Sequence, residues 1–192
     1  MSLIIAYKKD DVIYLASDSQ ATSSNFDKYS TTNPEFAKMT MLDNGIIVGH
    51  TGRVSYNQQI VYSGAITLDD NGELTREHLV LNVIPKLLKI KKEWIDDNGA
   101  RDNSDVSSTL MLAHKDKLFL VERDLLTYTV EHMALIGSGG DYAFASVAAI
   151  DPESPIEPQL VAALKIATKY TASVGGPFIT INTKDATFKT VI

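Results

Sequence analysis

The sequence contains no cysteine. It therefore offers no thiol nucleophile, no disulfide and no cysteine-ligated zinc, and this composition is typical of a cytoplasmic protein. Apolar runs of membrane-spanning length are also missing, and Lys8, Lys9, Asp10 and Asp11 follow the N-terminal apolar stretch too closely for a signal peptide. We therefore expect a cytoplasmic protein with no membrane segment.

Basic residues are the second shortage. The chain has 18 Lys and Arg against 24 Asp and Glu, a net charge of −6, and no dense basic run, which argues against a nucleic-acid or anionic-membrane binder. The glycine-rich segments lack the Lys-Ser/Thr ending of a phosphate-binding loop. His78, His114 and His132 lack metal-ligand spacing, and His50 is interpreted as a loop or interface residue. We expect no metal and no cofactor.

The apolar residues that are present predict one domain over residues 1–192. Hydrophobic residues make up 44% of the 192 residues, enough for a sizeable core. Residues 3–9 and 12–17 read as an antiparallel hairpin, and residues 21–34 as a polar loop. Asp43-Asn44-Gly45 is a hairpin turn before a buried strand that Gly49-His50-Thr51-Gly52 is predicted to break.

The remaining pattern alternates helix pairs with strands. Helices are predicted at 53–66, at 75–95 with a kink or late start at Pro85, through 149, and at 159–173 after a linker with Pro152, Pro155 and Pro158. Between and after them, strands are predicted at 108–113, 118–121, 128–130, 178–181 and 187–191, with a polar loop over 96–105. This order predicts an α+β fold, a four-layer α/β/β/α sandwich of two antiparallel sheets with helix pairs outside.

The N-terminal stretch Met1-Ser2-Leu3-Ile4-Ile5 puts a small hydroxyl residue directly behind the initiator methionine. Initiator methionine is commonly removed when the next residue is as small as serine. Ser2 would then carry a nucleophilic hydroxyl and a free α-amine with a pKa near ~7.7–8.0. That amine can accept the hydroxyl proton at neutral pH, so one residue supplies both nucleophile and general base.

Four further segments follow in a characteristic order. Asp18 ends the second strand, and Lys38 lies in a stretch that leads to the Asn-Gly turn at 44–45. Gly49-His50-Thr51-Gly52 comes next, and residues 136–143 read Ile-Gly-Ser-Gly-Gly-Asp-Tyr-Ala. Together these segments resemble the proteasome-type branch of the N-terminal nucleophile hydrolases, nearest to the bacterial HslV-type peptidase subunits.

The resemblance implies a role for each matching residue. Ser2 would be the nucleophile, and Asp18 would hold the catalytic Lys38 through a charge-assisted hydrogen bond. The Lys38 charge would favour an ionised hydroxyl and an unprotonated amine. The Gly52 amide would stabilise the oxyanion, and Ser138 would lie near the amine, cap a helix, or do both.

Two positions depart from the family pattern. The nucleophile is Ser2 followed by Leu3, where the family usually has Thr, and Lys169 falls where many members carry an Asp that orients the amine. The leading hypothesis is a peptidase subunit that is active once Met1 is removed. A non-catalytic ring subunit and an amidase for a small substrate are the alternatives.

The resemblance also implies partners. We expect peptide or unfolded-protein substrates and a homo-oligomeric ring of stacked hexamers. An ATP-dependent unfoldase is the expected regulatory partner, and residues 53–66 and 75–95 are expected to face neighbouring subunits or that partner.

Overall fold

The computed structural model of the protein describes residues 2–22, 28–30, 37–98 and 108–192. The strands in this part of the chain are β1 Ile4–Lys9, β2 Val12–Asp18, β3 Gln20–Thr22, β4 Lys28–Ser30, β5 Met39–Met41, β6 Ile47–Gly52, β7 Ser108–His114, β8 Lys117–Val121, β9 Thr127–Thr129, β10 Met133–Ile136, β11 Phe178–Asn182 and β12 Lys189–Val191. The helices are α1 Val54–Tyr62, α2 Arg76–His78, α3 Ile84–Asn98, α4 Gly140–Ala148 and α5 Ile156–Tyr170. A π-helical turn, Leu79–Val83, joins α2 to α3.

The described strands form two five-stranded antiparallel sheets and one two-stranded ribbon. The first sheet has the order β10-β1-β2-β11-β12 and the second has the order β5-β6-β7-β8-β9, while β3 and β4 pair with each other. Strand β1 lies in the interior of the first sheet, because it pairs with β2 on one side and with β10 on the other. The N-terminal segment is therefore held along both of its edges.

The two sheets pack face to face, and a separate apolar core lies on the outer side of each. Alternation along β1 directs Ile4 and Ala6 into the core between the sheets, and Leu3 and Ile5 into the core under α4 and α5. The third core, under α1 and α3, contains Val48 with Tyr56, Leu87 and Trp94, among others. This is the predicted four-layer α/β/β/α sandwich.

The helix predicted around Pro85 is continuous from Arg76 to Asn98, with one widened turn. Thr75 caps its start by accepting a hydrogen bond from the His78 amide at 3.2 Å. Proline has no N–H and its ring crowds the carbonyl four residues earlier. The chain relieves this with the π-helical turn just before Pro85, where the Ile84 amide donates to the Leu79 carbonyl.

Several predicted boundaries are wrong. The stretch 49–52 does not break the strand but forms the last four of the six residues of β6, and part of the predicted loop at 21–34 lies in the β3–β4 ribbon. Pro158 belongs to the first turn of α5 and not to a linker, and proline is tolerated there because the N–H it lacks would have no partner within the helix. Residues 96–98 of the predicted loop belong to α3, and residues 99–105 lie outside the described residues.

None of the helices in the described ranges is long and apolar enough to cross a bilayer.

Candidate functional site

Asp18 is the centre of the candidate site. It ends β2, and none of its surface is exposed. One carboxylate oxygen accepts from the Leu3 amide at 2.9 Å and from the Lys38 ammonium at 2.6 Å. The other accepts from the amides of Gln20 and Gly175, at 3.3 and 3.2 Å. A buried carboxylate requires such partners, and these four come from four separate segments of the chain.

Lys38 lies just before β5 and points into the protein. Its side chain is 9% exposed, and its ammonium donates to Asp18 and to the Gln20 carbonyl, the latter at 2.7 Å. Burial lowers the pKa of Lys38 from its usual value, and the Asp18 charge and hydrogen bond oppose that change. The predicted pairing of Lys38 with Asp18 is therefore present.

Ser2 is buried against the Gly-Ser-Gly-Gly segment. The Gly139 amide donates to the Ser2 carbonyl at 3.3 Å. Gly137 has a φ of +98°, and a side chain there would overlap the Ser2 carbonyl oxygen and lie 3.1 Å from the Thr51 methyl group. Only glycine fits at this position. Gly137 therefore packs between the Ser2 carbonyl and Thr51, near the end of β6.

Gly52 is the last residue of β6 and has a φ of +111°. It is exposed and lies where the chain leaves the sheet and enters α1. The position after it, Arg53, stacks its guanidinium 5.2 Å from the centre of the Trp94 ring. Arg53, between β6 and α1, thereby contacts α3 through Trp94.

Ser138 belongs to a row of hydroxyl groups. Its oxygen lies 3.0 Å from the Ser173 hydroxyl, which lies 2.7 Å from the Thr171 hydroxyl. The helix-cap interpretation of Ser138 is wrong, since Gly139 occupies the N-cap of α4 and no side chain caps it. Ser138 is flanked by the two glycines that contact the Ser2 carbonyl.

His50 is a strand residue, so its interpretation as a loop residue is wrong. It is buried in β6, and its amide donates to the Lys38 carbonyl at 2.9 Å. Burial, with a smaller contribution from the nearby Lys38 charge, lowers the pKa of His50 to about 4. The imidazole is therefore neutral at physiological pH.

Lys169 does not share the burial of these residues. It is exposed in the last turn of α5. The neighbouring Tyr170 is also exposed and stacks on Tyr142 of α4, with ring centres 6.3 Å apart. Over the described residues, no three His, Asp or Glu side chains are arranged to hold a metal ion.

The contacts therefore join four of the predicted site residues directly or through one neighbour: Ser2, Asp18, Lys38 and Ser138. Gly52 is linked to them through Thr51 and Gly137. The sequence analysis missed Gln20, whose side chain donates to the Ala172 carbonyl at 2.7 Å, and it missed the hydroxyls of Thr171 and Ser173. A buried Gln directly after an Asp-Ser pair carries no local signal, because its partner lies 152 positions along the chain.

Comparisons of the sequence and of the structure with known proteins both find HslV proteins. No protein-family model matches the chain. The ATP-dependent protease subunit HslV of Caldicellulosiruptor saccharolyticus is 29% identical over 168 residues, covering 85% of this chain and 88% of that protein.

Two solved structures show the same fold. The eukaryotic HslV from Trypanosoma brucei superposes with a TM-score of 0.65 and 16% identity, covering 94% of this chain and 98% of the other. A chain from the helical assembly of the Anbu complex from Pseudomonas aeruginosa superposes with a TM-score of 0.71 and 13% identity, covering 94% and 80%. At these identities the structural likeness concerns the fold.

Proposed function

We propose that this chain, a distant relative of HslV with the proteasome-like N-terminal nucleophile hydrolase fold, is a peptidase subunit that cleaves peptide bonds with Ser2. The observation that carries the proposal is the Asp18 carboxylate, which bonds both the Leu3 amide and the Lys38 ammonium. A buried cation is thereby held beside the residue that follows Ser2. Such an arrangement suits a nucleophile that must lose a proton at neutral pH.

The proposed reaction begins after Met1 is removed, which frees the Ser2 α-amine. The Ser2 Oγ attacks the peptide carbonyl while its proton passes to that amine. The Gly52 N–H stabilises the resulting oxyanion. The amine then gives the proton to the departing peptide nitrogen, and an ester between Ser2 and the acyl part of the substrate remains. Water hydrolyses the ester, releases the carboxylic acid and restores the Ser2 hydroxyl.

Lys38 and Asp18 act on this reaction through charge and position. A positive charge near the amine and the hydroxyl lowers the pKa of each, so more of the amine is free to accept a proton. Asp18 fixes that charge with the 2.6 Å contact. Ser138, with Ser173 and Thr171 behind it, supplies hydroxyl groups that can hydrogen-bond to the amine in either protonation state.

A non-catalytic ring subunit is the second candidate. The observation in its favour is that the row of hydroxyls from Ser138 to Thr171 includes no carboxylate in the described part of the chain, while Lys169 is exposed to solvent. A protonated amine without a carboxylate partner is less well oriented. This subunit would keep the fold and the assembly surfaces and lack peptidase activity.

The proposal includes an assembly and a partner. HslV of C. saccharolyticus is an ATP-dependent protease subunit, and Anbu of P. aeruginosa forms a helical assembly. We propose a closed homo-oligomeric ring, as two stacked hexamers, that receives unfolded protein from an ATP-dependent unfoldase. Multi-angle light scattering at micromolar concentration tests this, and a monomer alone would contradict it.

The test of the chemistry uses protein whose N-terminus is defined. A cleavable fusion that leaves Ser2 as the first residue is compared with protein that retains Met1, each verified by intact mass. We expect hydrolysis of fluorogenic peptides, and a stable adduct with a peptide boronate, only from the protein with the free Ser2 amine.

Two substitutions at the same position provide the controls. Ser2→Ala removes the hydroxyl, so hydrolysis is expected to stop while the ring persists in light scattering. Ser2→Thr keeps the hydroxyl beside the amine and is expected to remain active. If the Ser2 form hydrolyses no peptide and forms no boronate adduct, alone or with an unfoldase, the non-catalytic subunit becomes the better assignment.

A further inference from the structure

A buried polar cluster lies directly behind Gly52. The Thr51 carbonyl accepts a hydrogen bond from the Ser108 hydroxyl at 3.0 Å and a longer one, 3.4 Å, from the side-chain amide of Asn57. The Ser108 hydroxyl also lies within hydrogen-bond distance of the Asn57 side-chain oxygen, so it can donate to either acceptor. Asn57 is 1% exposed and Ser108 is 9% exposed. The three residues come from α1, β6 and β7.

The sheet geometry shows which way the Thr51–Gly52 peptide faces. Strand β6 lies between β5 and β7, and the His50 amide donates to the Lys38 carbonyl on the β5 side. Main-chain groups of successive strand residues face opposite neighbours, so the Thr51 carbonyl faces β7, where Ser108 lies. The N–H of a trans peptide points opposite to its carbonyl. The Gly52 N–H is therefore directed to the side of Lys38.

The chain is built so that this orientation is maintained. Immediately after Gly52, helix α1 begins at Val54, and its first turn returns Asn57 to the carbonyl of Thr51. The Asn57 amide nitrogen of the main chain donates to the Arg53 carbonyl at 3.0 Å, which fixes the start of that turn. On the other side, Ser108 is the residue of β7 directly opposite Gly52. The two donors to the Thr51 carbonyl are therefore fixed in position, Asn57 by helix α1 and Ser108 by strand β7.

We propose that Asn57 and Ser108 are positioning residues for the oxyanion site. This inference rests on the proposed function. By binding the Thr51 carbonyl, they stop the Thr51–Gly52 peptide from rotating and keep the Gly52 N–H directed at the developing oxyanion. Donors to the carbonyl also polarise the peptide, because hydrogen bonds in a chain strengthen one another, so the N–H becomes a better donor. A preorganised donor is worth far more in the transition state than one that must first reorient.

A cluster that only stabilised the fold would behave differently. Loss of Asn57 or Ser108 would then lower the melting temperature and leave the properties of the remaining folded protein unchanged. A positioning role predicts a selective loss of binding to tetrahedral species, which carry the oxyanion. Binding of the planar substrate is expected to remain, because it makes little use of the oxyanion donor.

The experiment compares Ser108→Ala and Asn57→Leu in the full assembly with Ser2 as the first residue. Asn57→Leu keeps the branched shape and the number of side-chain heavy atoms and removes the donor. We expect kcat to fall by at least ~10-fold, but by no more than the ~10²–10³ that follows loss of an oxyanion donor, with KM unchanged. The Kd of a peptide boronate is expected to rise by the same factor as kcat falls, while the Kd of the matching peptide amide remains constant.

Two control variants separate this effect from lost stability. Ser63→Ala removes a hydroxyl that bonds the Ile60 carbonyl at the end of the same helix, and it is expected to change the melting temperature only. Ser108→Thr keeps a hydroxyl and is expected to recover most of the kcat lost in Ser108→Ala. If Ser108→Ala does not fold, Asn57→Leu alone tests the inference.

The outcomes are distinguishable. If the unsubstituted protein hydrolyses no peptide, the proposed function fails, and this inference fails with it. If the unsubstituted protein is active and Ser108→Ala and Asn57→Leu lose no more kcat and boronate affinity than Ser63→Ala, the inference alone is wrong. Equal losses of boronate and peptide-amide affinity would also overturn it, since they indicate a general loss of the cleft.

Discussion

The buried His50 makes the stability of the fold depend on acid. Burial in β6, followed by the charge of Lys38, lowers the pKa of His50 from 6.5 to about 4. In the unfolded chain the imidazole regains its ordinary pKa and binds a proton below about pH 6.5. Between about pH 6.5 and pH 4 the unfolded state therefore holds more protons than the native state, and stability falls as the pH falls.

The size of the effect follows from that displacement of the pKa. Each pKa unit corresponds to about 1.4 kcal/mol, so His50 alone removes about 3 kcal/mol of unfolding free energy between pH 7 and pH 4. For a domain with a typical ~5–15 kcal/mol, this is a large share. Most of the loss is expected below pH 6, where most of the unfolded imidazole is charged.

The measurement is urea unfolding, followed by circular dichroism, at a series of pH values from 7 to 4. His50→Gln has no titrating group at this position. The unfolding free energy of the unsubstituted protein minus that of His50→Gln is therefore expected to fall by about 3 kcal/mol as the pH goes from 7 to 4. His114→Gln is the matched comparison, because burial also lowers the pKa of His114. A difference between His50→Gln and the unsubstituted protein that stays constant with pH would refute the assignment of a buried neutral His50.

Further substitutions test the contacts around Ser2 and Asp18. Gly137→Ala is expected to displace Ser2, abolish peptide hydrolysis and cost at least ~1–3 kcal/mol in urea unfolding, because the new methyl group overlaps the Ser2 carbonyl. In the control Gly140→Ala the new Cβ lies 3.6 Å from that of Leu135, an ordinary contact, so its unfolding free energy is expected to match that of the unsubstituted protein. Equal losses of unfolding free energy in Gly137→Ala and Gly140→Ala would contradict the proposed crowding at Ser2. Lys38→Met leaves the buried Asp18 without its cation and is expected to cost about 3–5 kcal/mol and all hydrolysis. Asp18→Asn in the same chain is not expected to restore stability, because the Asn amide nitrogen cannot accept from the main-chain amides that now bond both Asp18 oxygens. Urea unfolding and peptide cleavage are measured on each variant, and a Lys38→Met protein that cleaves peptides would exclude a catalytic Lys38.

The layers of the fold were predictable because the alternation of side chains within a single strand shows which core each side chain enters. Alternation along β1 assigns Ile4 and Ala6 to one core and Leu3 and Ile5 to the other. The error at 49–52 shows the limit of such reasoning. Gly49 was interpreted as a strand breaker, yet a side chain there would lie 3.3 Å from Ile4 of the facing sheet. Its small size serves close approach of the two sheets, which no local pattern shows.

The site was predictable only in part, for a similar reason. Asp18 and Lys38 match a family pattern, and the structure brings them together. Gln20 and Ser173 act through contacts with residues far along the chain, and Asn57 and Ser108 meet at Thr51 only because α1 folds back over the end of β6. Periodicity within a segment does not report contacts between segments.

The position of β1 between β2 and β10 has a consequence for the order of events during synthesis. One partner of β1 follows within a few residues, whereas β10 begins at Met133. Until that later strand is made, the N-terminus has one open side. Once β10 has paired with β1, Ser2 is only 7% exposed. For the proposed peptidase, Met1 is therefore most accessible to removal before β10, which begins at Met133 of the 192 residues, has been synthesised.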